Sequence, residues 1–191
     1  AAVIYRTARV LYDEHVAWFA AALVLSAPVV YRWSLEIHPD LLQLCFLTCS
    51  LHFAIRLANE MSLKATLLAS LFAGLAMGTK YGGAFMMPTL ALALFLGIPG
   101  GLRDVLGDRR LWLGGLLSLI VFVTAYAVTN PFAVVNAVEL SKDLEFAGRI
   151  VSDAEGDARS WLWTLFDPKV AAINGVGIAF AVQLVIRRTW L

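Results

Sequence analysis

The sequence predicts an all-α fold, a polytopic transmembrane helical bundle with an outer amphipathic helix at the membrane interface. Three observations carry this. Of the 191 residues, 60% are hydrophobic and only 15% charged, where water-soluble chains average roughly 25% charged. The mean hydropathy is +0.77. The apolar residues also fall into long blocks, as membrane spans do, instead of alternating with polar ones. The net charge of +1 and the lack of a basic tract give no reason to expect a nucleic-acid partner. The partner that the composition demands is the lipid bilayer.

The elements follow in chain order. Residues 1–11 read as the end of a helix, a partial span, followed by the polar turn Tyr12-Asp13-Glu14-His15. Residues 16–33 form the first full span, with Trp18 and Trp33 near its ends, where tryptophan prefers the interface. Pro28 is a kink site within it. A short polar link, Ser34 to Asp40, leads into a span at 41–57. Cys45 and Cys49 lie four apart on this span and read as packing residues, badly spaced for a disulfide on one helix.

Residues 65–97 pose the one topological choice. As a single helix they measure about 50 Å, far beyond a hydrocarbon core of about 30 Å. As two helices, 65–79 and 83–97, each is short. Charge decides for two. That arrangement puts Arg6, Arg9, Arg56, Lys64, Arg103, Arg109, Arg110, Arg187 and Arg188 on one side. Lys and Arg in short loops mark the cytoplasmic face. Nine of the fourteen acidic residues, Glu36 and Asp40 among them, then lie on the other side. The peptide is expected to reverse at Lys80-Tyr81-Gly82.

A Gly-rich charged loop at 99–110 precedes a span at 111–129, and a last span covers 170–186. Between them, 130–169 reads as an outer segment. Asn130-Pro131 has the form of an N-cap followed by proline at the first helical position. Leu140, Leu144, Ala147 and Val151 share one face, as in an interfacial helix. The whole of 1–191 reads as one transmembrane domain. It opens inside a helix without Met and stops just after Arg188, which is expected of an internal piece of a longer protein.

Ionisable groups beside membrane spans are costly and therefore point to function. Glu36, His38 and Asp40 lie within five residues of one another in an outer link. Carboxylates and an imidazole can hold a divalent metal or act as a general base; a plain polar turn, with Asp40 capping the next helix, explains them as well. Lys80 and Tyr81 sit at the expected helix break. A lysine there can anchor a phosphate, or simply snorkel to the interface. Gly74 and Gly78 form a small-residue pair at helical spacing, suited to close helix contact. His15 and His52 read as packing or interface residues.

Three stretches, in this order, resemble a family. Gly74 to Gly83 (GLAMGTKYGG) resembles the helix break of the membrane glycosyltransferases of the GT-C class, above all the polyprenyl- or dolichyl-phosphate-dependent mannosyltransferase-like and aminoarabinose transferase-like proteins. His38-Pro39-Asp40 resembles their second outer loop. Thr129 to Phe146 resembles the segment that enters their outer interfacial helix. The resemblance implies an inverting sugar transfer from a polyprenyl-phosphate donor to an acceptor on the non-cytoplasmic face, in a bacterial inner membrane, with a divalent metal assisting in some members. It makes Asp40 a secondary catalytic carboxylate, Lys80, Tyr81 and Glu36 substrate-binding, and His38 with Asp40 a metal pair. The family's main carboxylate belongs to a first outer loop that has no counterpart in this sequence, so the stretch alone is expected to be inactive. A secondary transporter, which also uses broken helices, and a non-catalytic polytopic subunit are the alternatives; a transporter is expected to carry a second broken helix.

Overall fold

The structure, a computed structural model, describes residues 1–36, 39–136 and 142. His38, the last span at 170–186 and most of the outer segment fall outside the described residues, among which there is no strand. The chain divides into two units, Ala1–Val135 and Asn136–Leu191. The elements that follow belong to the first.

Helix α1 spans Ala2–Leu11. Helix α2, Glu14–Ser26, starts where the Asp13 carboxylate accepts from the Val16 amide at 2.9 Å, satisfying one of the orphan donors of a helix start. Pro28 does more than kink the next stretch. It has no N–H to offer the Val24 carbonyl, Ala27 adopts an extended conformation, and a separate helix α3, Pro28–Leu35, begins. The predicted span 16–33 is thus two helices. No ionisable side chain lies at this interruption.

Helix α4, Pro39–Glu60, and helix α8, Arg109–Thr129, are long and apolar enough to cross a bilayer. Their 22 and 21 residues extend for about 33 and 32 Å, matching a core of about 30 Å. Helix α5, Leu63–Thr79, is shorter. A left-handed Met61 (φ 45°) makes the tight link between α4 and α5.

The break after α5 is present. Lys80 is extended (φ −164°, ψ 139°), a 3-10 turn covers Tyr81–Phe85, and helix α6 covers Met86–Gly97. The turn's steeper rise, about 2 Å per residue, lets this second limb gain length that its twelve α-helical residues lack. The limb runs back along α5. Gly83 lies against the backbone of Ala76 and Met77, and Gly97 lies against Leu57 and Met61 at the far end of α4. The chain therefore reverses between α5 and α6. Within the predicted 99–110 loop a further short helix, α7, covers Leu102–Gly107. A short helix α9, Pro131–Val135, follows α8.

The core is built from small residues. Ala65, Ala69 and Ala73 on α5 are buried against Ala54 and Leu57 of α4, Leu90 and Ala93 of α6 and Phe122 of α8, and Ala76 is buried as well. Gly74 and Gly78 face α8: a Cβ on Gly74 would meet the Phe122 carbonyl oxygen and, at 2.7 Å, the Ala125 methyl, and one on Gly78 would meet the Thr129 side chain. Close backbone approach of this kind replaces the hydrophobic effect as the packing force between helices in lipid. Many large apolar side chains point outward instead: Phe19, Leu25, Leu92, Leu116, Ile120 and Val123 are all exposed. A water-soluble protein rarely shows so much contiguous apolar surface; lipid is its natural cover.

Candidate functional site

The break at residues 79–83 leaves backbone carbonyls without helical partners, and in a membrane each such group costs several kcal/mol if left unpaired. They are paired. The Ala76 oxygen accepts from the Lys80 amide at 3.1 Å and from the Thr79 hydroxyl at 2.7 Å. The Gly78 oxygen accepts from the Asn130 side-chain amide at 3.0 Å. The Lys80 oxygen accepts from the Gly83 amide and from the Gln43 side chain, both at 3.0 Å. Residues from α4 and from the end of α8 thus clamp the end of α5 in place.

The lysine that this clamp presents meets a carboxylate forty residues away. Lys80 Nζ lies 2.7 Å from Asp40 Oδ1. Asp40 sits in the first turn of α4, and Lys80 just past the last residue of α5. Each therefore occupies the helix end whose dipole favours its charge. The lysine side chain is 60% exposed and the aspartate 21%. The pair thus combines a partly covered acid with an accessible ammonium at one end of the bundle.

The other expected site residues are distributed as follows. Glu36 is taken up by Arg32, whose Nε donates to its Oε1 at 3.0 Å one helical turn away, in an exposed pair. Tyr81 opens the 3-10 turn. His38, half of the expected metal pair, lies outside the described residues. Among the described residues no group of three or more His, Cys, Asp or Glu side chains assembles, and Asp40 and Glu36 each face a cation. Cys45 and Cys49 are both free thiols.

Two residues of the site were not foreseen. Gln43 is the lone amide in an apolar run, one turn beyond Asp40 and hence on the same helix face. That placement is a signal, since a polar group in a span needs a partner. Asn130 was expected to cap the following helix with its side-chain oxygen; its Nδ2 donates backward to the α5 terminus.

No match to this chain is found among curated proteins or among solved structures. The model of the dolichyl-phosphate-mannose-protein mannosyltransferase family matches residues 1–127, which contain both Asp40 and Lys80. The chain belongs to that family of membrane glycosyltransferases.

Proposed function

We propose that this chain forms the donor-binding part of an inverting glycosyltransferase, one that moves a sugar from a polyprenyl-phosphate carrier to an acceptor hydroxyl on the non-cytoplasmic face of a bacterial inner membrane. The observation that carries the reading is the Lys80–Asp40 pair at a helix break, 2.7 Å across. A lipid-linked donor reaches its enzyme from within the bilayer, so its phosphate sits at headgroup level. An ammonium fixed at that level neutralises the phosphate as it leaves, a form of charge stabilisation that grows toward the transition state. In the transfer, the anomeric carbon–oxygen bond to phosphate breaks and the electron pair stays with the phosphate beside Lys80. The acceptor oxygen forms the new bond and its proton passes to a carboxylate. Asp40 assists as the carboxylate nearest the lysine. Without donor it holds the ammonium in place; with donor the phosphate takes over that cation.

The transporter alternative gains one observation, the second interruption at Ala27. That interruption carries no ionisable group, whereas substrate sites in broken transporter helices use charge or exposed carbonyls. Family membership also favours the transferase. The test is sugar transfer from a polyprenyl-phosphate-linked sugar by the full-length protein. Lys80→Met is expected to lower transfer on the order of a hundredfold, with membrane insertion intact and Lys80→Arg retaining part of the rate. Unchanged transfer by Lys80→Met removes the lysine from the reaction.

A further inference from the structure

The end of α4 away from Asp40 carries a second charged feature, which the sugar-transfer reading does not use. Arg6 and Arg9, one turn apart on α1, face His52, Arg56 and Glu60, successive turns of α4, across a cleft of about 660 Å³ that Tyr5 also lines. Sixteen residues of α4 separate Asp40 from Arg56, about 24 Å of helix. The Thr7 hydroxyl and His52 Nδ1 lie 3.0 Å apart and tie the two walls together.

The charges in the cleft do not balance. Arg56 Nη2 donates to both carboxylate oxygens of Glu60, at 3.2 and 3.0 Å. Arg6 and Arg9 have no carboxylate partner among the described residues. Among the described residues that line the cleft, three guanidiniums therefore meet one carboxylate, which leaves Arg6 and Arg9 to bind an anion. A guanidinium presents a planar fork that matches phosphate oxygens, so the set favours a phosphate ester over a simple halide.

The depth of the cleft in the membrane agrees. Tyr5 and Trp18 rings pack with centroids 4.8 Å apart, and Tyr5 Oη donates to Glu14 at 3.3 Å. Aromatic pairs with a polar tip gather at headgroup level. The lysines and arginines on this side mark it as cytoplasmic, the leaflet whose anionic lipids are drawn to basic pockets between helices. We propose that the α1–α4 cleft binds a phosphate ester at the cytoplasmic interface, namely the headgroup of an anionic phospholipid, with Arg6 and Arg9 as its principal contacts.

The test follows thermal unfolding of the full-length protein in a neutral detergent during titration with phosphatidylglycerol, phosphatidylcholine or inorganic phosphate. Phosphatidylglycerol is expected to raise the unfolding temperature saturably, and phosphatidylcholine to leave it in place. The Arg6→Gln/Arg9→Gln variant is expected to need roughly ten- to thirtyfold more phosphatidylglycerol. Arg6→Lys/Arg9→Lys, which keeps charge and loses the fork, should fall between; should the glutamine variant not fold, this one decides. Lys80→Met should respond like the unaltered protein, which separates this cleft from the helix break. A shift by inorganic phosphate that phosphatidylglycerol does not exceed keeps the phosphate site and assigns it to a soluble ester. Equal shifts with both lipids, or a phosphatidylglycerol shift that the arginine variants leave untouched, overturn the proposal.

Discussion

Asn130 donates its side-chain amide to the carbonyl oxygen of Gly78 at 3.0 Å, across fifty-two residues of sequence. The contact joins the residue just past the end of α8 to the last turn of α5 and fixes the spot from which Lys80 emerges. Gly78 has no side chain of its own there, and a Cβ on it would run into Thr129 and approach the Asn130 amide at 3.1 Å. Close helix packing and the satisfied carbonyl thus depend on each other: the missing Cβ admits α8, and α8 brings the donor that the broken helix needs.

Replacing Asn130 should therefore destabilise the break. Asn130→Ala leaves a partly buried carbonyl without its donor, a loss of about 1–3 kcal/mol. Asn130→Asp should cost at least as much, because it sets an acceptor against an acceptor. Both changes are read as a lower unfolding temperature in detergent. An unaltered temperature for Asn130→Asp would mean that the amide contributes nothing to holding α5.

The glycines allow a matched comparison. Gly74→Ala puts a methyl group against the Phe122 backbone oxygen, which can yield only by moving a helix; the expected loss is about 1–3 kcal/mol. Gly115, on the same helix as Phe122, has nothing within 4 Å of a built Cβ. Gly115→Ala should instead be neutral or stabilising by up to about 1 kcal/mol, since alanine is the better helix former. Thermal unfolding of the two variants side by side checks the sign of each.

Buried serines make a second matched pair. Ser50 is fully buried, and its hydroxyl donates to the Ala69 carbonyl of the neighbouring helix at 2.8 Å. Hydrogen bonds between membrane helices average about 0.6 kcal/mol and reach about 1.7, so Ser50→Ala should destabilise by an amount in that range. Ser118 is equally buried, yet its hydroxyl has no partner among the described residues. Ser118→Ala should be neutral or stabilising, as an unpaired polar group is removed. A larger loss at Ser118 than at Ser50 would reverse this ranking of the two contacts.

Much of this arrangement was legible in the sequence because lipid enforces simple rules. Block length and lysine–arginine placement pointed to a reversal at Lys80, since a 33-residue helix overshoots the bilayer and its alternative divides the arginines between the two faces. The small residues at Gly74 and Gly78 announced close contact, though not the partner, because helix spacing identifies a face and says nothing of what packs on it. The short helix α7 was read as loop, since three glycines and a run of charges outweighed its local periodicity. The division at Ala27 was underestimated for a different reason. Apolar composition is continuous across Pro28, so only backbone hydrogen bonding reveals where one helix stops. The contact of Asn130 with α5 was hidden because local sequence offers only helix capping by its side-chain oxygen; the chain's return to α5 shows which carbonyl its amide reaches. Asp40 and Lys80 were visible as charges at span ends that the reversal sets at the same end of the bundle; the direct contact of 2.7 Å rests on helices that are antiparallel and in register.

That pairing yields the sharpest prediction. In stability terms the Asp40–Lys80 bridge is an accessible ion pair, with the lysine side chain 60% exposed, so breaking it should cost no more than about 1 kcal/mol. Sugar transfer should respond far more strongly. If lysine neutralises the departing phosphate while aspartate assists proton removal, the two groups act on different bonds and their losses should multiply. Asp40→Asn is expected to lower transfer roughly tenfold, Lys80→Met roughly a hundredfold, and the double variant roughly a thousandfold, while all three unfold within a few degrees of the unaltered protein. A double variant no slower than Lys80→Met would show that Asp40 acts only by holding the lysine. In that case the carboxylate is a positioning residue, and Asp40→Asn should be partly rescued by a raised donor concentration, because the loss lies in binding the phosphate and not in moving the proton.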